Sequence, residues 1–290
     1  MKILFVTDLH ANRHLFEATL EAARHHRVQA VVVGGDLLEW GLDDLEATEA
    51  TQRAFLQQFL DPHLGAYDEA GIHWIAVLSS HDLPAIDGTF DAVCAAHTHA
   101  HHISRRRLAL NGFEFIGFDL VADYPFSPKS RCRREDQAFH PMPFRGKLIE
   151  ATPEGWRPLE DWAARLQSLP TLEEELAGLP APHDERQAVY VIHHPPAGLG
   201  LGVIKSGADI GSRAVRRFLE RVQPRLSLHG HIHESPATSG KWATALGRTL
   251  CIQPGQGDNL HHVLLDLPTL TGRLLGAGEG LPEALPKIMP

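Results

Sequence analysis

The chain has 290 residues, 27 of them lysine or arginine and 36 aspartate or glutamate, which gives a net charge of −9. Hydrophobic residues make up 43% of the chain, which excludes a disordered protein. No apolar run reaches the roughly 18 residues of a membrane-spanning helix. The acidic balance argues against non-specific binding to nucleic acid or to an anionic membrane. The length allows one large α/β domain or two small ones.

The cysteine and histidine contents bear on the cellular compartment and on metal binding. Three widely spaced cysteines, Cys94, Cys132 and Cys251, do not make a disulfide framework. The N-terminal apolar run ends at Thr7 and is too short for the core of a signal peptide, so we expect a cytoplasmic protein. The 20 histidines indicate a metal site without locating it.

Apolar runs alternate with helical periodicity at the start of the chain. Short apolar runs predict buried parallel strands, and apolar residues at helical spacing predict the helices between them. The strands fall at 2–7, 30–33 and 74–78, and the helices at 13–25 and 44–67. This order is typical of a parallel sheet with right-handed crossovers.

The regular pattern stops near residue 100 and resumes at 188. In between we expect an insertion at about 100–187, with a strand at 112–121 and a short helix opened by the capping-box pair Thr171 and Glu174. Strands follow at 188–192, 226–228, 250–253 and 263–267, with a helix from Ser212 to about Val222. We therefore predict a single domain over 1–267 and a peripheral tail over 268–290.

Polar, chemically active residues follow the predicted strands. They are Asp8 and His10, then Asp36, then Ser80, His81 and Asp82, then His193, and finally His231 and His233. Ligands of parallel α/β sheets bind outside the carboxyl ends of the strands. We therefore expect these side chains to meet at one edge, although they span most of the chain.

Carboxylate and imidazole ligands without thiolate favour Mn, Fe, Zn or Ni. Two metals about 3.5–4 Å apart need a shared carboxylate. The candidates divide accordingly: one site from Asp8, His10, Asp36 and His233, and most of a second from Asp36, His193 and His231.

The motifs resemble those of the calcineurin-like metallophosphoesterases. They are Asp8-Leu-His10, Gly35-Asp36, Ser79-Ser-His-Asp82, His193 before two prolines, Gly230-His-Ile-His233, and the late turn Gln253-Pro-Gly255. The match covers roughly 1–100 and 186–267. The resemblance implies a four-layer α/β/β/α sandwich and a phosphoesterase with two divalent metal ions and a bridging hydroxide.

The resemblance also implies individual roles. Asp36 bridges the two metals. His81 stabilises the transferring phosphoryl group or protonates the leaving oxygen, and Asp82 orients His81. Ser80 stands where the family has a metal-binding asparagine. It is therefore either a weak ligand of the second metal or an ordinary turn serine.

Two alternatives to phosphoester hydrolysis of a small substrate stay open. The Ser80 substitution favours a metal-binding protein of the same fold with weak or no catalysis. A nuclease would need a basic groove, for which the arginine clusters at 105–107 and 131–134 are the candidates. We favour a small phosphorylated substrate, because the run from Gly35 to Gly41 lacks the protein-phosphatase signature.

Two further segments have competing interpretations. Alternation would place His97, His99 and His101 on one strand face, but we expect a solvated edge without metal. Residues 123–129 form either a pocket wall or aromatic packing under a loop.

Overall fold

Strands and helices alternate along most of the chain in a computed structural model that describes residues 1–39, 45–125, 127–138, 148–152, 155–277, 281 and 285. The strands are β1 (Lys2–Val6), β2 (Ala30–Val33), β3 (His73–Ala76), β4 (Ala100–His102), β5 (Arg107–Leu110), β6 (Phe113–Phe118), β7 (Val121–Ala122), β8 (Cys132–Arg133), β9 (Ile149–Thr152), β10 (Gly155–Pro158), β11 (Ala188–Ile192), β12 (Leu226–Leu228), β13 (Ala243–Leu246), β14 (Thr249–Ile252), β15 (His262–Asp266) and β16 (Thr271–Leu275). The helices are α1 (Arg13–His25), α2 (Leu45–Phe55), α3 (Asp61–Ala70), α4 (Asp87–Ala95), α5 (Trp162–Ser168), α6 (Leu172–Ala177), α7 (Arg213–Val222) and α8 (Ser235–Ser239). A π-helical turn at Leu56–Leu60 joins α2 to α3, and 3₁₀ turns lie at Pro84–Ile86 and Glu185–Gln187.

Some predicted features fall partly outside these residues. They are residue 44 of the helix predicted at 44–67, residues 40 and 41 after the Gly35-Asp36 motif, residue 126 of the segment 123–129, and parts of the insertion and of the tail.

The described strands form two large mixed sheets. The first has the order β16-β15-β1-β2-β3-β4, and β1 through β4 run parallel. The second has the order β13-β14-β12-β11-β6-β5, with β6, β11, β12 and β14 parallel. Short pairs, β7 with β8 and β9 with β10, lie outside both sheets.

Three of the four apolar clusters among the described residues separate the layers of the molecule. Between the sheets, side chains of alternating strand positions such as Phe5 and Val32 pack against Phe115 and Val191. The opposite faces of the sheets are covered by helices, α1 and α3 on the first sheet and α6 and α7 on the second. Strands buried on both faces explain the continuous apolar runs in the sequence. The predicted four-layer α/β/β/α sandwich is confirmed.

Strand boundaries follow the apolar runs closely in the core. Strands β2, β11 and β12 occupy the predicted residues, and α1 and the Ser212-capped α7 do so as well. The capping box of Thr171 and Glu174 opens α6 with both reciprocal hydrogen bonds. In these elements the local sequence preference, the capping residues and the packing in the core all favour the same structure.

The structure differs from the sequence analysis at the edges of the sheets. Residues 100–118, placed in the predicted insertion, supply β4 to the first sheet and β5 and β6 to the second. Residues 271–275 of the predicted tail pair with β15 as an edge strand. Edge strands such as β5 are half exposed and carry no continuous apolar run, so their signal is weak.

Glu135 connects the segment after β8 to the second sheet's outer helix. Its buried carboxylate accepts hydrogen bonds from Ser212 Oγ at 2.9 Å and from the backbone N–H groups of Arg213 at 3.1 Å and Ala214 at 2.8 Å. A carboxylate at this position satisfies free N–H groups of the first turn of α7 and complements its dipole.

We therefore expect Glu135→Gln to lower the free energy of unfolding by about 1–3 kcal/mol, because the amide puts a donor where the helix presents donors. Urea denaturation measures this change, with the exposed Glu160→Gln as the control. Equal unfolding midpoints for the two variants would contradict the role given to Glu135.

Candidate metal centre

The side chains predicted to meet come from the carboxyl ends of five strands in both sheets. Asp8 and His10 follow β1, Asp36 follows β2, the segment 79–82 follows β3, His193 follows β11, and His231 and His233 follow β12. Strands β1, β2 and β3 are parallel, as are β11 and β12, and the backbone N–H of Gly230 donates to the carbonyl of His193 at 2.8 Å. The five strand ends therefore share one edge of the sandwich.

Left-handed backbone turns direct these side chains inward. Asp8, Asp36 and His231 have φ angles of 57°, 47° and 72°, a region that residues other than glycine seldom adopt. The N–H of Asp8 donates to the carbonyl of Gly35 at 3.0 Å, and that of His10 to the carbonyl of Asp36 at 3.1 Å. Such local strain is concentrated at functional sites and is sustained by the surrounding contacts.

The glycines of two motifs are required by close packing at the site. A Cβ on Gly35 would lie 2.7 Å from Nδ1 of His193, and one on Gly230 would lie 2.5 Å from Oδ2 of Asp8. Both distances are below any real Cβ contact. The glycines therefore let candidate ligands from different strands approach one another.

Three groups of side chains bring ligand atoms within 4.8 Å of one another. The groups are Asp8 with His10 and His233, His10 with Asp36 and His81, and Asp36 with His193 and His231. All six predicted aspartate and histidine ligands are included. Asp36 shares one group with His10 and another with His193 and His231, and His10 in turn shares the remaining group with Asp8 and His233. Asp36 therefore lies between two sets of candidate ligands, as a bridging carboxylate requires.

Asp36 is held by several hydrogen bonds from the segment after β3. It accepts hydrogen bonds from Ser80 Oγ, at 3.0 and 2.9 Å to its two oxygens, and from the backbone N–H of His81 at 3.0 Å. Ser80 Oγ lies 3.5 Å from Nδ1 of His231. The hydroxyl thus lies among candidate ligands, which suits both the weak-ligand and the turn interpretation of Ser80.

Opposite charges dominate the electrostatics of the two buried carboxylates. Burial opposes ionisation of Asp8, yet His233 and His193 hold its pKa below the usual value. Burial acts in the same way on Asp36, and His193 and His81 hold its pKa well below the usual value. Both carboxylates are therefore ionised at neutral pH and call for cationic partners.

His193 shows that the site suits a metal. Its Nδ1 lies 2.8 Å from the carbonyl of Gly34, which points Nε2 at the carboxylates. That Nε2 is buried, makes no hydrogen bond within the described residues, and lies 3.2 Å from Oδ2 of Asp36. An imidazole held through one nitrogen with the other facing carboxylates is the usual arrangement of a metal-binding histidine. The donor set therefore fits divalent cations.

His81 and Asp82 differ in exposure and in their contacts. The His81 side chain is 34% exposed, and its Nε2 lies 4.0 Å from Oδ2 of Asp36. Asp82 is buried, and its carboxylate accepts from the backbone N–H groups of Ser79 at 2.7 Å and Leu38 at 2.9 Å. The hydrogen bonds of Asp82 within the described residues therefore go to the loop backbone and not to the His81 ring. The sequence analysis expects Asp82 to orient that ring, and the structure gives no hydrogen bond between these two described side chains.

Burial and the nearby charge of Asp36 raise the pKa of Asp82 to about 7. The backbone N–H of Ser79 and the cation of Arg131 oppose this rise. Asp82 therefore connects the Ser79–Asp82 turn to the loop after β2. Burial and the charge of Asp36 disfavour its ionised form, and its hydrogen bonds offset part of this cost.

Two rings that the sequence analysis does not name as candidate ligands or catalytic groups lie beside His231. The ring of His194 lies 4.7 Å from the ring of His231, and that of Tyr124 lies 5.9 Å from it. His194 Nδ1 accepts from the N–H of Ala122 at 3.2 Å, so its Nε2 donates to the carbonyl of Ile210 at 3.0 Å. Tyr124 belongs to the segment 123–129, which therefore reaches the edge of the site.

The histidines at 97, 99 and 101 lie elsewhere. His97 bonds to Asp61 and Asp68, and His99 bonds to Asp68. Only residue 101 lies in β4, where its ring stacks on that of His73. None of the metal-capable groups among the described residues includes them.

The comparisons with known proteins agree with this site. The family model of the calcineurin-like phosphoesterases matches residues 1–235, and the chain belongs to this family. It is therefore an enzyme that hydrolyses phosphoester bonds with metal ions. The family and fold predicted from the motifs are confirmed. Among the described residues, no helix has the length and hydrophobicity that spanning a membrane requires.

Solved structures share the fold at low sequence identity. A Thermus thermophilus protein, TT1561, is 15% identical, with a TM-score of 0.57 over 96% of this chain and 99% of that chain. A dimetal phosphatase from Danio rerio is 11% identical, with a TM-score of 0.50 over 99% of both chains. No curated protein sequence matches the chain.

We expect Asp36→Asn to lower metal affinity and hydrolysis together by more than about 100-fold, because it removes a charge shared by two ligand groups. Metal content after dialysis measures the first effect. The matched control is His97→Ala, which removes a carboxylate-bonded histidine outside the metal-capable groups. Retention of metal by Asp36→Asn, or its loss in the control, would contradict the placement of the centre.

Proposed function

We propose that this chain hydrolyses a small phosphorylated molecule at a two-metal centre. Asp8, His10, Asp36 and His233 would hold one ion, and Asp36, His193 and His231 would hold the other, with Ser80 as an additional weak ligand. The single observation that carries the proposal is the position of Asp36 in two neighbouring ligand groups. The donor types favour Mn, Fe, Zn or Ni.

The bound cations would lower the pKa of an attacking water and neutralise charge on the phosphoryl oxygens. The protein's own contribution is to fix the ligands. Asp8 and Asp36 are ionised before any metal arrives, and Gly34 holds the His193 ring. Because these groups are already in place, little reorganisation accompanies the reaction.

His81 would act on the substrate directly. Its side chain is partly open to solvent, whereas Asp8, Asp36 and His193 are buried. Its ring centroid lies 4.8 Å from that of His10. A histidine beside the ligands can donate a hydrogen bond to the phosphoryl group or a proton to the leaving oxygen.

The arginines argue for a small substrate over a nucleic acid. Arg105 binds Asp119 and Glu175, and Arg131 binds Asp119 and Asp87. Arginines paired with carboxylates offer little to a phosphate backbone. Together with the net charge of −9, this favours phosphoester hydrolysis without a nucleic-acid groove.

The test is hydrolysis of an aryl phosphomonoester and an aryl phosphodiester with added Mn²⁺, for the wild-type protein and for Ser80→Asn. We expect turnover by the wild-type protein and its loss on chelation with EDTA. We also expect the longer amide ligand of Ser80→Asn to raise metal affinity and rate by about 10-fold.

Activity confined to Ser80→Asn would mean that the natural serine prevents catalysis and would favour the metal-binding alternative. Metal binding without turnover by either protein would contradict phosphoester hydrolysis of these substrate classes. A preference for DNA over both aryl esters would favour the nuclease.

A further inference from the structure

The backbone of residues 81–83 is held by side chains from outside the sequence motifs. Gln52, on α2, is 1% exposed. Its Nε2 donates to the carbonyl of His81 at 2.8 Å, and its Oε1 accepts from the N–H of Leu83 at 3.0 Å. We infer that Gln52, together with Arg131, is a positioning residue that sets where the His81 imidazole lies relative to the metal ligands.

Arg131 holds the residue between those two contacts. It is 5% exposed, and its Nε donates to the carbonyl of Asp82 at 2.9 Å. Its other nitrogens bond Asp119 at 2.6 Å and Asp87 at 2.5 Å. The guanidinium is therefore fixed by two carboxylates, and it fixes the loop carbonyl in turn.

The His81 ring depends on its backbone for its position. Within the described residues the ring makes no hydrogen bond, and its nearest charged partner, Asp36, is 4.0 Å away. The peptide of His81 is by contrast held on both sides, through its N–H by Asp36 and through its carbonyl by Gln52. Catalysis is sensitive to displacements of about 1 Å, so the backbone contacts set the efficiency of the ring.

Gln52 also fixes the two motif loops relative to each other. Its Nε2 makes a second bond, at 2.9 Å, to the carbonyl of Glu39, three residues after the bridging Asp36. One buried amide thus joins α2, the loop after β2 and the loop after β3. A buried amide is costly unless it is fully hydrogen-bonded. The Gln52 amide makes its hydrogen bonds to backbone groups of the two loops, including Leu83 at the end of the loop after β3.

This inference rests on the role proposed for His81. We expect Gln52→Met to lower kcat about 10- to 100-fold with little change in KM and to leave metal content unchanged. Gln57→Met is the control, because Gln57 lies one to two turns further on and is exposed. Gln52→Glu keeps the acceptor for Leu83 but loses the donor to His81, so its kcat should fall similarly.

Arg131→Lys keeps the positive charge and gives a smaller loss of kcat than Arg131→Met. The matched control is Arg105→Met, which removes the other guanidinium bound to Asp119 without a contact to the loop. Arg105→Met should keep the wild-type kcat.

A double-mutant cycle separates positioning from general destabilisation. In a His81→Ala background, Gln52→Met should have no further effect on kcat, because the ring it positions is gone. A second loss of similar size in that background, or wild-type kcat in Gln52→Met and Gln52→Glu, would overturn the inference.

A readout independent of turnover separates this inference from the proposed function. In zinc-loaded protein labelled with ¹⁵N-histidine, the His81 ring signal, identified by its absence in His81→Ala, should shift in Gln52→Met and stay fixed in Gln57→Met. If the wild-type protein has no phosphoesterase activity but the His81 signal still shifts in Gln52→Met, the proposed function is wrong and the positioning role stands. An unshifted signal would overturn the positioning itself.

Discussion

Two carboxylates buried side by side, Asp8 and Asp36, are the constraint that the rest of the site satisfies. Each is almost inaccessible to water, and their like charges repel in a medium of low dielectric constant. Such a pair is stable only when positive charge surrounds it. Imidazoles from the second sheet, His193 and His233, lie within 3.3 Å of one or the other carboxylate. The two sheets must therefore pack against each other before the carboxylates of the centre gain their cationic partners.

The spacing of the motifs follows from backbone geometry. Asp8 and His10 both have positive φ angles, of 57° and 44°, so the chain coils tightly after β1 and two alternate residues face the same point. Gly35 lets Asp36 approach His193, and Gly230 makes room for Asp8. The position of the motifs at the carboxyl ends of predicted strands is visible in the sequence, which is why the sequence predicts that the six aspartate and histidine side chains meet at one edge. The φ angles and close approaches that allow this meeting are known only from the structure.

Other parts of the molecule depend on contacts that no local pattern encodes. Gln52 bonds to His81, 29 residues away in the sequence, and Arg131 bonds to Asp82, 49 residues away. Nothing in the local sequence distinguishes either residue from the many other polar residues of the chain. Edge strands such as β5 and β16 lack the continuous burial that marks β2 or β11. The core and the meeting of the motif side chains could thus be predicted from the sequence, whereas the sheet edges and the supports of the loops could not.

Strand β1 lies between β2 and β15, so residues 3–5 pair with 30–32 on one side and with 263–265 on the other. His10 and His233 meet across 223 residues. Proteins dominated by such distant pairings fold slowly. During synthesis, β1 has one edge unpaired until its partner residues 263–265 have been made. The proposed metal centre therefore forms late, because a nascent chain cannot complete this candidate ligand set before His233 has emerged.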